Sequence, residues 1–172
     1  MKVFKDYISG DEFFSDSFPH EYIFNGACIE AKAKYVVKGK ELVLIATDEE
    51  EEDQGEGETV IDIQDKFELN EVQNYTKAEF MTWAKAYLGK LKARLTEENA
   101  NLPEDKQRNL AEFQAGATQL VKLIAGKFSE MQIFCGSKMD YEGAFCFAYT
   151  KEQTDEGPTF LYFADGLKGV KY

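Results

Sequence analysis

The sequence predicts an α+β protein in which a β core is interrupted by one helical hairpin. Two observations carry this reading. Apolar residues alternate with polar ones in the first third of the chain and recur in short strand-like runs after residue 129. Between residues 76 and 128 the apolar spacing switches to that of amphipathic helices. The organisation expected is one domain over 1–172, with a β core at 1–75 and 129–172, an acidic loop at 47–59 and the hairpin at 76–128.

Residues 2–8 read as a strand, so the chain begins inside the sheet. Residues 10–20, rich in Asp and Ser, read as a loop or short turn. Over 27–37, Ile29, Ala31, Ala33, Tyr35 and Val37 share one face, with Glu30, Lys32 and Lys34 on the other, as in a half-buried strand. Residues 42–46 (Leu-Val-Leu-Ile-Ala) predict a short buried strand, and Ile61 and Ile63 flank Asp62 in another alternating run. Thr76-Lys-Ala-Glu79 has the form of a capping box, in which the Thr hydroxyl accepts from the third helical amide and the Glu carboxylate reaches back. Phe80, Trp83, Ala84, Tyr87, Leu88, Leu91 and Leu95 follow at helical spacing. A breaker at 99–103 precedes a second amphipathic run of Leu110, Phe113, Ala117, Leu120, Val121, Ile124 and Phe128. So short a connection implies antiparallel helices. Strands return at 131–135, 144–150 and 159–164. The last two are apolar on both faces and belong in the centre of a sheet.

Composition narrows the function. Twenty Lys and Arg against 32 Asp and Glu give a net charge of −12. Such a surface repels nucleic acid and anionic lipid and favours cations and basic partners. The opening residues lack the apolar core of a secretion leader, and no apolar run approaches membrane-spanning length, so a cytosolic location is expected. Cys28, Cys135 and Cys146 are odd in number and form no CxxC pair, which speaks against a disulfide framework or a structural zinc. His20 is the only histidine and has no partner for a triad or a metal site. No phosphate-binding glycine loop and no GxSxG are present. The Trp83 and Tyr87 stripe reads as hairpin core. These absences favour a binding protein over an enzyme.

Two charged clusters remain. Asp48, Glu49, Glu50, Glu51, Glu52 and Asp53 continue into a Gly-Glu-Gly-Glu stretch, which cannot bury apolar area and should be mobile. Its carboxylates suit weak calcium binding without the spacing of an EF-hand, or simply form a solvated loop. Lys85, Lys90, Lys92 and Arg94 form a basic run on the first helix, either a solvated face or a docking surface for an acidic partner.

Specific segments resemble one family. These are Met1-Lys-Val-Phe-Lys-Asp6 with Asp11-Glu12-Phe13-Phe14-Ser15-Asp16, and Gly55-Glu-Gly-Glu-Thr-Val-Ile61. Thr76-Lys-Ala-Glu-Phe80, Tyr87-Leu-Gly-Lys-Leu-Lys92, Phe113-Gln-Ala-Gly-Ala117 and Ile124-Ala-Gly-Lys-Phe128 follow. Phe134-Cys-Gly-Ser137, Glu142-Gly-Ala144 and Asp165-Gly-Leu167 complete the set. In order, over essentially the whole chain, they resemble the translationally controlled tumour protein family. The resemblance implies a twisted, mostly antiparallel β core similar to that of a Rab GTPase chaperone, with a projecting hairpin and a mobile acidic loop. It also implies a non-enzymatic cytosolic protein that binds calcium and tubulin or microtubules and acts in cell growth and survival. An alternative it implies is a nucleotide-exchange or chaperone factor for a Rheb-type small GTPase, contacted through Glu12 and the adjacent Asp11. Another is an unconventionally secreted histamine-releasing factor. Lys85, Lys90, Lys92 and Arg94 would then dock tubulin, and no tightly bound cofactor is expected. The chain ends in Tyr172 where several animal members end in Cys, so a monomer is expected.

Overall fold

In the computed structural model, which describes residues 1–38 and 58–171, the first strands are β1 (Lys2–Asp6), β2 (Glu12–Ser15), β3 (His20–Ile23), β4 (Cys28–Lys32), β5 (Tyr35–Val37) and β6 (Thr59–Ile61). A short helix α1 (Asp62–Phe67) and strand β7 (Asn70–Glu71) lead into α2 (Lys77–Ala100) and α3 (Leu110–Gly126). Strands β8 (Gln132–Cys135), β9 (Phe145–Tyr149), β10 (Thr159–Phe163) and β11 (Leu167–Lys171) complete the chain. Every ladder among the described residues is antiparallel. The main sheet runs β3-β4-β10-β9-β8-β7, β1 lies between β11 and β2 in a second sheet, and β5 pairs with β6 alone. The predicted strand at 42–46 and all but Glu58 and Thr59 of the 47–59 loop lie outside the described residues.

Strands β9 and β10 are buried at every position, as two-sided apolar strands in the middle of a sheet must be. Elsewhere the strand boundaries differ from the sequence reading. Residues 10–20 contain β2 and the start of β3. β2 escapes a search for alternation because the small sheet packs on the main one. Phe13 and Phe14 are adjacent and both buried; the Phe13 carbonyl accepts from the Tyr162 hydroxyl at 3.1 Å, and Phe14 meets Phe4 and Tyr162. The run 27–37 is broken at residues 33–34, and Tyr35 turns out to solvent on the separate β5–β6 ribbon. The alternation at 59–63 ends early because the chain enters α1 at Asp62, whose carboxylate accepts from the amides of Lys34 and Ile63. Strand β11, which lies beyond the last strand expected from the sequence, pairs along the full length of β1.

The hairpin forms as its sequence dictates. Thr76 and Glu79 make both reciprocal bonds of the capping box, and Asn109 caps α3 by accepting from the Glu112 amide at 3.0 Å. α2 buries Phe80, Trp83, Ala84, Tyr87, Leu91 and Leu95, while α3 buries Phe113, Gly116, Ala117, Leu120 and Ile124. Trp83 lies against Phe145, Phe163 and Tyr87, with ring centroids 4.9, 5.7 and 4.6 Å apart. Its indole N–H donates to the Gly143 carbonyl at 3.1 Å. The distal end is held by charge. The Arg108 guanidinium donates two bonds to the Asp165 carboxylate, at 2.9 and 3.3 Å, and one to the Asn25 carbonyl at 3.0 Å. Both side chains of this pair are largely buried, so the fork geometry is retained out of bulk water.

Candidate functional site

The basic run on α2 divides into two kinds of residue. Arg94 is engaged internally: its guanidinium sits 4.3 Å over the Tyr7 ring, pairs with Glu98 at 2.9 Å and donates to the Asp165 carbonyl. Lys90 leans on the loop after β8, donating to the Glu142 carbonyl at 3.4 Å with the Glu142 carboxylate 4.0 Å away. Lys85 and Lys92 are exposed, and neither ammonium has a carboxylate within ion-pair distance among the described residues. Both line a cavity of about 270 Å³ between the helices, whose apolar wall includes Leu88 and Phe113. The structure thus brings Lys85 and Lys92 together and assigns Arg94 to holding the hairpin.

The opening Asp-Glu pair separates as sharply. Glu12 is exposed at the first position of β2, beside a bulge in the β1–β2 ladder. Asp11 is 4% exposed; its carboxylate accepts from the Lys138 amide at 3.1 Å and the Ser137 hydroxyl at 3.4 Å. A Cβ at Gly136 would come within 2.7 Å of the Asp11 Cβ, so glycine is what lets this carboxylate in. Asp6, at 1% exposure, does the same one strand away. It accepts from the Ile8 amide, the Ser9 hydroxyl and the Ala144 amide at 3.0, 2.7 and 2.8 Å, and a side chain at Gly143 would overlap it. These two aspartates fasten the 136–144 loop to the first strands. Of the pair, Glu12 alone is open to solvent.

Asp48, Glu49, Glu50, Glu51, Glu52 and Asp53 lie outside the described residues. Among the described residues no three His, Cys, Asp or Glu side chains are grouped to hold a metal ion. The His20 ring N–H at Nδ1 donates to the Phe18 carbonyl at 2.7 Å, and the ring packs edge-on against Phe14. Burial pushes the Cys28 thiol up from 9.0 to about 12 and the Cys146 thiol well above its ordinary value, which suppresses the nucleophilic thiolate. Tyr75 rises from 10.0 to about 12, by burial first and then the Glu79 carboxylate; burial raises Tyr87 and Tyr162 further.

These raised values tie stability to pH with a definite sign. The folded protein keeps protons that the unfolded chain releases once the pH passes about 9, so their contribution is complete below that point. It is lost as the pH climbs toward about 12. Tm should fall steadily through the alkaline range, with tyrosinate absorbance rising at the unfolding transition. A Tm that stays level from pH 8 to 11 would contradict the assignment.

A second concavity escapes sequence reasoning. A groove of about 620 Å³ runs along α2 opposite the 141–142 loop, lined by Tyr75, Glu79, Trp83, Lys90, Tyr141 and Glu142 among others. Trp83 is buried core, as its periodicity indicates, and also forms the groove floor. The partner wall comes from Tyr141, 66 residues from Tyr75, and no local pattern announces that meeting.

With this geometry in place, comparison with known proteins settles the lineage. The family model described as translationally controlled tumour protein matches residues 1–168. The chain belongs to the translationally controlled tumour protein family. Among solved structures of that family, the translationally controlled tumor-associated protein p23fyp from Schizosaccharomyces pombe superposes with a TM-score of 0.76 at 30% identity, each chain covered over 100% of its length. The solution structure of translationally-controlled tumor protein from Caenorhabditis elegans gives a TM-score of 0.61 at 23% identity, covering 100% of this chain and 99% of the other, and speaks to the fold. The mixed α+β architecture with a helical hairpin is therefore the fold of translationally controlled tumour proteins. As for membranes, no helix among the described residues is long and apolar enough to cross one.

Proposed function

We propose that this chain is a non-catalytic, cytoplasmic binding and regulatory protein whose helical hairpin docks an acidic polypeptide, tubulin foremost, in the service of cell growth and survival. The observation that carries this reading is the pair Lys85 and Lys92. On a protein of charge −12 they stand, among the described residues, without carboxylate partners, and both line an inter-helix cavity with an apolar wall. An acidic tail laid along this line would gain two charge contacts and apolar cover. The protected thiols and the internally bonded His20 support a binding role over catalysis. Microtubule co-sedimentation tests it. The K85E/K92E double variant should bind about thirtyfold more weakly, each close charge contact contributing on the order of 1 kcal/mol. Microtubules stripped of their acidic tails should bind the unmodified protein just as poorly. Undiminished sedimentation of the double variant would refute hairpin docking.

The exposure of Glu12 favours a second role, at a Rheb-type small GTPase. A carboxylate at this edge would compete with nucleotide phosphate for the magnesium region. An exchange factor must accelerate GDP release at substoichiometric amounts, and Glu12→Gln should abolish that acceleration; a merely stoichiometric effect would argue against exchange. Weak calcium binding belongs to the same proposal through Asp48, Glu49, Glu50, Glu51, Glu52 and Asp53. Amide shifts confined to 48–58 during a calcium titration would support it.

A further inference from the structure

The groove beside α2 has the chemistry of a cation site. Three aromatic rings, Tyr75, Trp83 and Tyr141, line it, and all three abut the buried Phe145 ring beneath, with centroids 5.5, 4.9 and 5.7 Å from it. Tyr141 is 47% exposed, so its ring is accessible to a ligand in the groove. Two carboxylates, Glu79 and Glu142, stand on the rim. Glu79 uses only Oε1 in the capping box, accepting from the Thr76 amide at 2.9 Å and its hydroxyl at 3.1 Å, so Oε2 remains open. Glu142 is committed to Lys90 at the far end, which leaves the Tyr75, Glu79 and Tyr141 end negative.

The walls are also fixed in advance. The Trp83 indole is bonded to the Gly143 carbonyl, Asp6 holds the Ala144 amide at 2.8 Å, and Asp140 holds the Glu142 amide at 2.9 Å. A site whose rings need no ordering loses little on binding. Aromatic faces beside a carboxylate prefer a cation that sheds water readily, which favours a quaternary head over a strongly hydrated primary ammonium. Lys90, a primary ammonium close by, indeed pairs with the Glu142 carbonyl and carboxylate instead. The cavity of about 620 Å³ lies within the range of small-molecule sites and has room for such a head with a short apolar body.

We infer that the groove formed by Tyr75, Trp83, Tyr141 and Glu79 binds a small quaternary ammonium compound. This site is independent of Lys85 and Lys92 and of Glu12. Trp83 is the single tryptophan, so its emission reports occupancy. Choline chloride, titrated against matched sodium chloride, should change that emission saturably in the millimolar range. The neutral tert-butyl isostere of choline should bind about tenfold more weakly. Glu79→Gln keeps the reciprocal cap, which glutamine also makes, and removes the charge. Tyr141→Leu keeps an apolar wall and removes the π face. Each variant, with an unchanged circular dichroism melt, should weaken choline about tenfold. Four results would overturn the inference. One is the absence of a saturable response, another equal binding of the isostere, and a third two variants that bind as the parent does. The fourth is capture of a trimethyl-lysine peptide through Tyr141 where choline fails.

Discussion

Gly116→Ala is expected to cost about 3 kcal/mol of stability, although alanine is the better helix former. For a chain of this size that is a fall of roughly 6–12 °C in Tm. Gly116 lies in α3 where the helix presses on the turn between β3 and β4. An added methyl would run into the Phe24 carbonyl and stand 2.9 Å from the Ala27 Cβ. The obstruction is backbone, held by a turn in which Phe24 and Asn25 already adopt positive φ, so it cannot swing away. Gly89 is the control. It is exposed in α2 with nothing within 4 Å of its missing Cβ, and Gly89→Ala should stabilise by about 0.5–1 kcal/mol. Thermal melts of the two variants should therefore move in opposite directions. A Gly116→Ala protein as stable as its parent would mean that the hairpin does not seat on the β3–β4 turn.

Asp6→Ala should be comparably damaging, at about 3 kcal/mol, because it strands three donors at once. The carboxylate accepts from Ile8, Ser9 and Ala144. Ser9 can rotate to another acceptor, but the buried Ala144 amide cannot, and it lies one residue from the carbonyl that anchors Trp83. The tryptophan emission should shift to the red in the native variant, before any unfolding. Asp6→Asn should fall between the two, since one carboxylate oxygen becomes a donor facing donors. Retention of the parental emission maximum in Asp6→Ala would show that the loop is held by something else.

The sequence is informative where one local rule decides the outcome. Helical spacing in α2 and α3, the Thr76–Glu79 cap and the unbroken apolar runs of β9 and β10 all act within a few residues. Where structure depends on distant contact, the reading goes astray. Phe13 and Phe14 show no alternation because these neighbours are both buried, and α1 is too short to display a period. Asp6 and Asp11 look like surface residues of a turn until Gly143 and Gly136 are brought beside them from far along the chain. The candidate cations show the same divide. Composition singles out Lys85, Lys90, Lys92 and Arg94 equally; only the arrival of Asp165, Tyr7 and Glu142 separates the engaged from the unengaged.

The pairing of β1 with β11 sets an order of assembly on the ribosome. The hairpin joins helices that are close in sequence, so its helix–helix contacts are available as soon as residue 126 is clear of the exit tunnel. One edge of β1 can pair with β2 at once, but the other waits longest: the partner for Lys2 is Lys171, and the Ala144 amide that satisfies Asp6 is itself a late arrival. For most of its synthesis the chain therefore carries a β1–β2 pair with one edge of β1 open and with Phe13 and Phe14 still lacking the cover of the main sheet. The five residues of β11 are what close that edge and complete the small sheet.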